Sequence, residues 1–418
     1  MNLFDVSRVA LLLALFIYCV GFLTYVVAVA GKTWSNRDPQ KHLHKWGWIA
    51  FTVSTTGLVC QLVYFFTRWI AGKHIPVSNM YEFMTFLGMM IMAAFTVVFL
   101  IYRTPVLGVF ALPVAVTVLA YAAVFPQDVQ PLIPALQSYW LKIHVTTAAT
   151  GEAFFAVGFA AGFMYLLRTV DLRSKAKQGR WERRGVEFTM FTILLVVAFV
   201  ATVFVFKGMD YHAEFTQTKT EVKNGVEKEV TSNVSYTLPP LIKPHDSKIV
   251  SMDSFLGMDK PLLSAPSWMN GVNAGRKLNT VVWSIIAGLI LYGIIRAILR
   301  KPLSVAAQRI MNDIDPEDLD EISYRAIAIG FPIFTLGALI FAMIWAHYAW
   351  GRFWGWDPKE VWALITWLYY SAYLHFRLSR GWQGRKSSWL AVLGFIIVMF
   401  TLIGVNLIIA GLHSYAGV

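Results

Sequence analysis

Apolar positions along this chain come in long unbroken runs, separated by short polar segments. The runs lie at about residues 9–30, 47–67, 82–101, 106–124, 142–168, 187–206, 279–298, 326–347, 359–376 and 388–411. Each is close to the roughly 20 residues that a helix needs to cross a bilayer core. The pattern therefore predicts ten transmembrane helices. The first run, Val9 to Ala30, exceeds a signal-peptide core and has little positive charge before it, so it is read as a retained span. One sizeable polar insert, residues 207–278, interrupts the series. In it, "TEVKNGVEKEV" sets Asn224-Gly225 between alternating β-branched and polar residues, the pattern of a hairpin with a type I′ turn. A second polar segment, 300–325, contains Asp315-Pro316, a helix start that predicts a short surface helix.

Composition agrees. Of 418 residues 57% are hydrophobic and 14% charged, against about 25% charged in a soluble domain. The net charge of +12 is not a nucleic-acid footprint, because the basic residues sit in short clusters between apolar runs. Loops 31–46, 168–184 and 377–386 hold these clusters and belong on the cytoplasmic side, whereas 125–141 and 411–418 contain no Lys or Arg. Both termini and residues 345–362 then face outward. The expectation is an all-α polytopic protein of the inner (cytoplasmic) membrane, with about ten transmembrane helices and a small β-rich extracytoplasmic insert. Its parts would be a membrane domain 1–206 of six helices, the insert 207–278, and a second membrane domain 279–418. The two cysteines, Cys19 and Cys60, lie inside spans and form no C-x-x-C, so they read as small core residues.

Candidate chemistry gathers in "WAHYAWGRFWGWDPKEVW", residues 345–362, which holds five tryptophans and four ionisable groups. Asp357, Pro358 and Glu360 have the N-cap, N1 and N3 spacing of a capping box, which accounts for them without any ligand. Interfacial belts account for scattered tryptophans elsewhere, but not for this density. Trp350 and Trp354, with Gly351 and Gly355 beside them, would make a broad shelf for a flat ligand. Histidines within spans are costly and usually functional. His144 and His413 both fall at the outer ends of spans, level with the shelf, and two such imidazoles suit the axial positions of a haem iron; each is also readable as a hydrogen-bonded interfacial histidine. His375 lies seventeen residues beyond Pro358, about 25 Å away along a helix, too far to share that iron. His347 adjoins the shelf. His74, His42 and His44 read as loop histidines in contact with solvent or lipid. "SNMYEF" offers a second cap, Asn79 with Glu82 at N3, which brings Glu82 near the shelf.

The stretch "WGRFWGWDPKEVWALITWLYYSAYLHFR", with "SNMYEFMTFLG", "YWLKIHV", "ISYRAIAIGFPIFTLG", "GWQGRKSSWLAVLGF" and "GVNLIIAGLHSYAGV", resembles the WWD family of haem-handling proteins in its CcsA-type, System II form. The resemblance covers residues 70–170 and 320–418. It implies haem b as ligand and substrate, haem transport to the outer face, and covalent attachment of haem to C-x-x-C-H apocytochromes c. It also implies a CcsB- or ResB-type membrane partner and a thiol-reducing, thioredoxin-like partner. By position, His144 and His413 match the family's two outer haem-iron histidines, and His375 its intramembrane one. Trp350, Gly351, Trp354, Trp356 and Asp357 match the WWD signature. His347 stands where the family is expected to have asparagine, which makes it, with Glu82, a group for the surroundings of the haem rather than a matched ligand. The region 187–298 is extra relative to the short form. No residue of the chain need act as a catalytic nucleophile, since the substrate supplies the thiols. A competing reading is a b-type cytochrome subunit reacting with quinone. That needs two histidine ligands per haem within this chain, and on the inner side only His375 is buried in a span.

Overall fold

A computed structural model describes residues 2–405, apart from 32–37, 124, 126, 128–136, 175, 224–225, 268–273 and 312–313. His413 and the Asn224-Gly225 turn therefore lie outside the described residues. Two compact units result: the helices up to Val186 together with the chain from Ser304 onward, and Glu187–Leu303.

The first unit is helical. Its elements are α1 (Leu3–Ala30), α2 (Pro39–Gly72), α3 (Met80–Tyr102), α4 (Pro105–Ala122) and α5 (Tyr139–Thr169). The helix α6 (Arg180–Gly208) and α7 (Ala274–Leu299) follow, and then α8 (Leu303–Gln308) and α9 (Pro316–Phe334). A π-helical turn, Thr335–Phe341, joins α9 to α10 (Ala342–Trp350) as one rod; α11 (Pro358–Ser379) and α12 (Arg385–Met399) complete the series. Nine helices among the described residues are long and apolar enough to cross a membrane. The tenth predicted span, α11, is 22 residues long but too rich in polar and aromatic residues to match them in apolarity. The chain is thus an all-α polytopic membrane protein with a small strand insert.

Asp315-Pro316 does start a helix, with Asp315 accepting from the Glu317 amide, but not a short surface one. It opens α9, which continues into the span. Leu319, Ile322, Ala326 and Ile327 recur at helical spacing and are all buried, so nothing stops the helix at the surface. Cysteine burial also differs from expectation: Cys19 is exposed and Cys60 half-buried, because α1 covers only one of its faces with protein.

Helix α5 is the core of the first unit, buried over most of its length. Its seam with α9 is made of small residues. A Cβ on Gly151 would come within 2.7 Å of the Phe334 Cα, one on Gly330 within 2.9 Å of the Gly151 carbonyl oxygen, and one on Gly337 within 2.7 Å of the Ala148 Cα. Glycine is what allows these backbones to touch, the usual device where helices pack without a hydrophobic driving force. Ser323 donates to the Gly158 carbonyl along the same seam, at 2.8 Å. Aromatic stacking ties in the remaining helices: Phe155 on Tyr370 of α11 at 3.7 Å and Phe159 on Phe395 of α12 at 4.7 Å.

The second unit contains the insert. Strands β1 (Ala213–Lys223) and β2 (Val226–Tyr236) pair antiparallel in register from Ala213–Tyr236 to Lys223–Val226, which leaves the two-residue connection that the sequence predicts. β4 (Ser247–Met252) adds to the other edge of β1, and the short β3 (Ile242–Lys243) and β5 (Leu263–Ser264) form a parallel pair. Phe206, Tyr211, Phe215, Val234 and Tyr236 make its core.

Candidate functional site

Five helix ends meet in the first unit: the starts of α3, α5 and α11, and the ends of α10 and α12. The charge pattern assigns all five to one membrane face. Between them lies a cavity walled largely by apolar and aromatic side chains, among them Phe83, Leu141, Phe334, Met343, Trp345, Trp350, Phe353 and Trp354. His144, Glu152, Ser78, Asn79, Lys359, Glu360 and Thr401 are its polar lining.

His144 is held on two sides. Its Nδ1 lies 2.9 Å from the Gly337 carbonyl oxygen. A carbonyl only accepts, so Nδ1 bears the proton and the lone pair sits on Nε2, the tautomer of a histidine prepared to ligate a metal. The acceptor belongs to the π-helical turn, where the backbone departs from regular α pairing, a deviation frequent at functional sites. The imidazole also stacks on Trp345, with ring centroids 5.7 Å apart and planes 11° from parallel. Trp345 is 2% exposed and meets Trp350 edge-on at 4.7 Å, so histidine and two tryptophans form one rigid wall.

The loop after α10 turns at Gly351, whose φ of +71° is open to glycine, and whose amide donates to the His347 carbonyl. Trp354 then returns to the cavity wall and meets Trp356 edge-on at 6.0 Å. Trp356 itself is 71% exposed and outside the cavity. Trp345 thus lines the cavity together with Trp350 and Trp354 of the expected shelf, and Trp356 of the signature does not. The reason is geometric. Trp356 has a left-handed φ of +56°, which swings it out, whereas Trp345 is one helical turn and a half before Trp350 on the buried side of α10.

Asp357 caps α11 as its spacing predicts. It accepts from the Lys359 amide and closes a capping box with Glu360. Glu360 Oε2 also accepts from the Gly355 amide at 2.7 Å, which pins the tryptophan loop to the helix start.

Other predicted residues lie apart from the cavity. Glu82 is fully buried but serves the α2–α3 corner. It pairs with Arg68 at 2.8 Å and accepts from Ser78, while its own amide is capped by Asn79. Its neighbours Ser78 and Asn79 reach the cavity wall. His347 is exposed and stacks on Phe353 at 4.3 Å, touching the cavity only through that ring. His375 is exposed near the far end of α11, beside Phe376. His74, expected in solvent, is instead buried, with Nδ1 against the Ile75 carbonyl. His42 is half-buried against the Val27 carbonyl. Glu152 and Lys359 line the cavity, and Gly337 holds His144, without any of the three having been singled out by sequence reasoning. Glu152 carried a signal: a carboxylic acid inside an otherwise uncharged membrane span.

Comparison with known proteins identifies the family. The model of the family described as cytochrome C assembly protein matches residues 77–217 and 280–413, and these blocks contain every cavity-lining residue. The chain belongs to that family of membrane proteins. Within it the chain is of the CcsA type. It is 33% identical to the cytochrome c biogenesis protein CcsA of Gloeothece citriformis over 83% of this chain and 81% of the relative. Identity to CcsA of Crocosphaera subtropica is 30%, over 94% and 93% of the two chains. For CcsA of Gloeobacter violaceus it is 31%, over 89% and 87%.

Proposed function

We propose that this chain serves cytochrome c maturation by holding haem as a substrate in the tryptophan-walled cavity and presenting it for covalent attachment to C-x-x-C-H apocytochromes c. The observation that carries this reading is the Nδ1 bond of His144 to the Gly337 carbonyl, which fixes the imidazole in the wall of an aromatic-lined cavity. His144 supplies one axial ligand. His413, which lies outside the described residues, supplies the other. Trp345, Trp350 and Trp354 hold the macrocycle by its faces and edges.

Attachment adds each cysteine S–H across a vinyl double bond. An S–C bond forms, the thiol hydrogen passes to the neighbouring vinyl carbon, and no net oxidation occurs. The contribution of the protein is to hold the vinyl groups where two thiols arrive together, so the gain is one of proximity. The histidine of the apocytochrome then replaces one of the two ligands. His375, at the other end of α11, receives haem as it enters, with a CcsB- or ResB-type partner completing that site. A thioredoxin-like partner keeps the apocytochrome thiols reduced. The tryptophan loop faces outward from the cytoplasmic membrane.

The test is haem content and holocytochrome yield of His144→Ala and His413→Ala proteins, expressed with the partner. Both should fall sharply. Unchanged content and yield in both variants would overturn the reading.

A further inference from the structure

Glu152 and Lys359 line the cavity and are not among the proposed haem ligands. Glu152 lies on α5 eight residues beyond His144, about 12 Å further along the helix. It is 7% exposed, and its Oε2 has no hydrogen-bond partner among the described residues. Trp354 lines the same cavity, and its Nε1 is likewise buried without a partner among the described residues. Lys359 joins them in the wall and is the charge that acts on Glu152, yet no ion pair between the two occurs among the described residues. An acceptor, a donor and a cation thus share one cavity, with neither orphaned atom satisfied among the described residues.

Such an arrangement is costly unless something bound completes it. A buried polar atom without a partner loses its water and gains nothing in return, and an acid within a membrane span is usually a functional group. The missing group must offer an acceptor to the indole N–H, negative charge to the ammonium, and a hydrogen to the Glu152 carboxyl. A pair of neighbouring carboxyls does all three. One, ionised, accepts from Trp354 and faces Lys359. The other, retaining its proton, donates to Glu152.

We propose that Glu152, Trp354 and Lys359 form a carboxyl-recognising subsite that takes the two-propionate edge of the macrocycle. This rests on the reading of haem as the substrate of the cavity. It adds an orientation: the propionate edge is anchored beside Glu152, and the opposite, vinyl-bearing edge is left for the incoming thiols. Without such an anchor the two faces and edges of the macrocycle would differ little to an apolar wall.

The experiment compares haem with its dimethyl ester, in which both propionates are capped. Each is titrated into the full chain purified with its membrane partner, and binding is followed by the Soret band. The unaltered protein should bind haem at least tenfold more tightly than the ester. Glu152→Gln and Lys359→Met should each bind haem more weakly, narrowing that preference, while affinity for the ester stays as it was, which also shows that the variants fold. Equal affinity of the unaltered protein for haem and ester, with haem binding still lost in His144→Ala, would overturn the subsite and leave the haem reading intact. Absence of a Soret band with either ligand would overturn both.

Discussion

His144 and Gly337 are 193 positions apart in sequence and joined by one hydrogen bond of 2.9 Å. The bond depends on the absence of a side chain at residue 337, because a Cβ there would press on the Ala148 backbone, within 2.7 Å of its Cα. His144 is therefore oriented by a backbone contact that only glycine permits.

Gly337→Ala should separate α5 from the π-helical turn and release the imidazole. Overpacking of this kind costs about 1–3 kcal/mol, so thermal unfolding in detergent should shift down by several degrees. Haem content should fall with it, even though His144 is still present. A variant with normal stability and normal haem spectrum would show that the carbonyl does not orient the ring.

The tryptophans should divide by position. Trp345→Ala removes buried wall and Trp350→Ala half-buried wall, and each should weaken haem retention about tenfold or more. Trp356→Ala should leave retention in the purified chain unchanged, since Trp356 is 71% exposed. Its loss should register only in holocytochrome yield, when a partner or apocytochrome covers that surface. Haem dissociation rates separate the two groups.

Asp357 acts on α11 before it acts on any ligand. Asp357→Ala should lower stability by about 0.5–2 kcal/mol through loss of the cap, whereas Asp357→Asn should keep most of it. If the haem spectrum changes in Asp357→Asn while stability does not, Asp357 touches the substrate directly.

Arg68 and Glu82 form a buried pair, 2% and 0% exposed. Arg68→Met leaves the carboxylate uncompensated and should cost about 3–5 kcal/mol. The double variant Arg68→Met/Glu82→Gln should recover a large part of that. Additive losses in a double-mutant cycle would mean that the pair is not coupled.

Much of this protein was legible in the chain. Local signals suffice where the physics is local: the caps at Asp357, Asn79 and Asp315, the strand pairing up to Lys223 and Val226, and the long apolar helices. At Asp315-Pro316 the start signal says nothing about where the helix stops, and the buried face of α9 simply continues. His74 is buried although it sits in a loop, because loop position does not by itself determine exposure.

The sequence by itself determined the class of architecture, because bilayer thickness and backbone hydrogen bonding leave a long apolar run little choice but a helix. It also determined the tryptophan loop and its cap, whose interactions span few residues. Tertiary structure decided which tryptophans face the cavity, that a carbonyl from a π turn fixes the tautomer of His144, and that Glu152, Trp354 and Lys359 share one wall. Those facts depend on helix rotation and on close backbone approach at Gly337, which are set by packing between distant segments and leave no local mark in the chain.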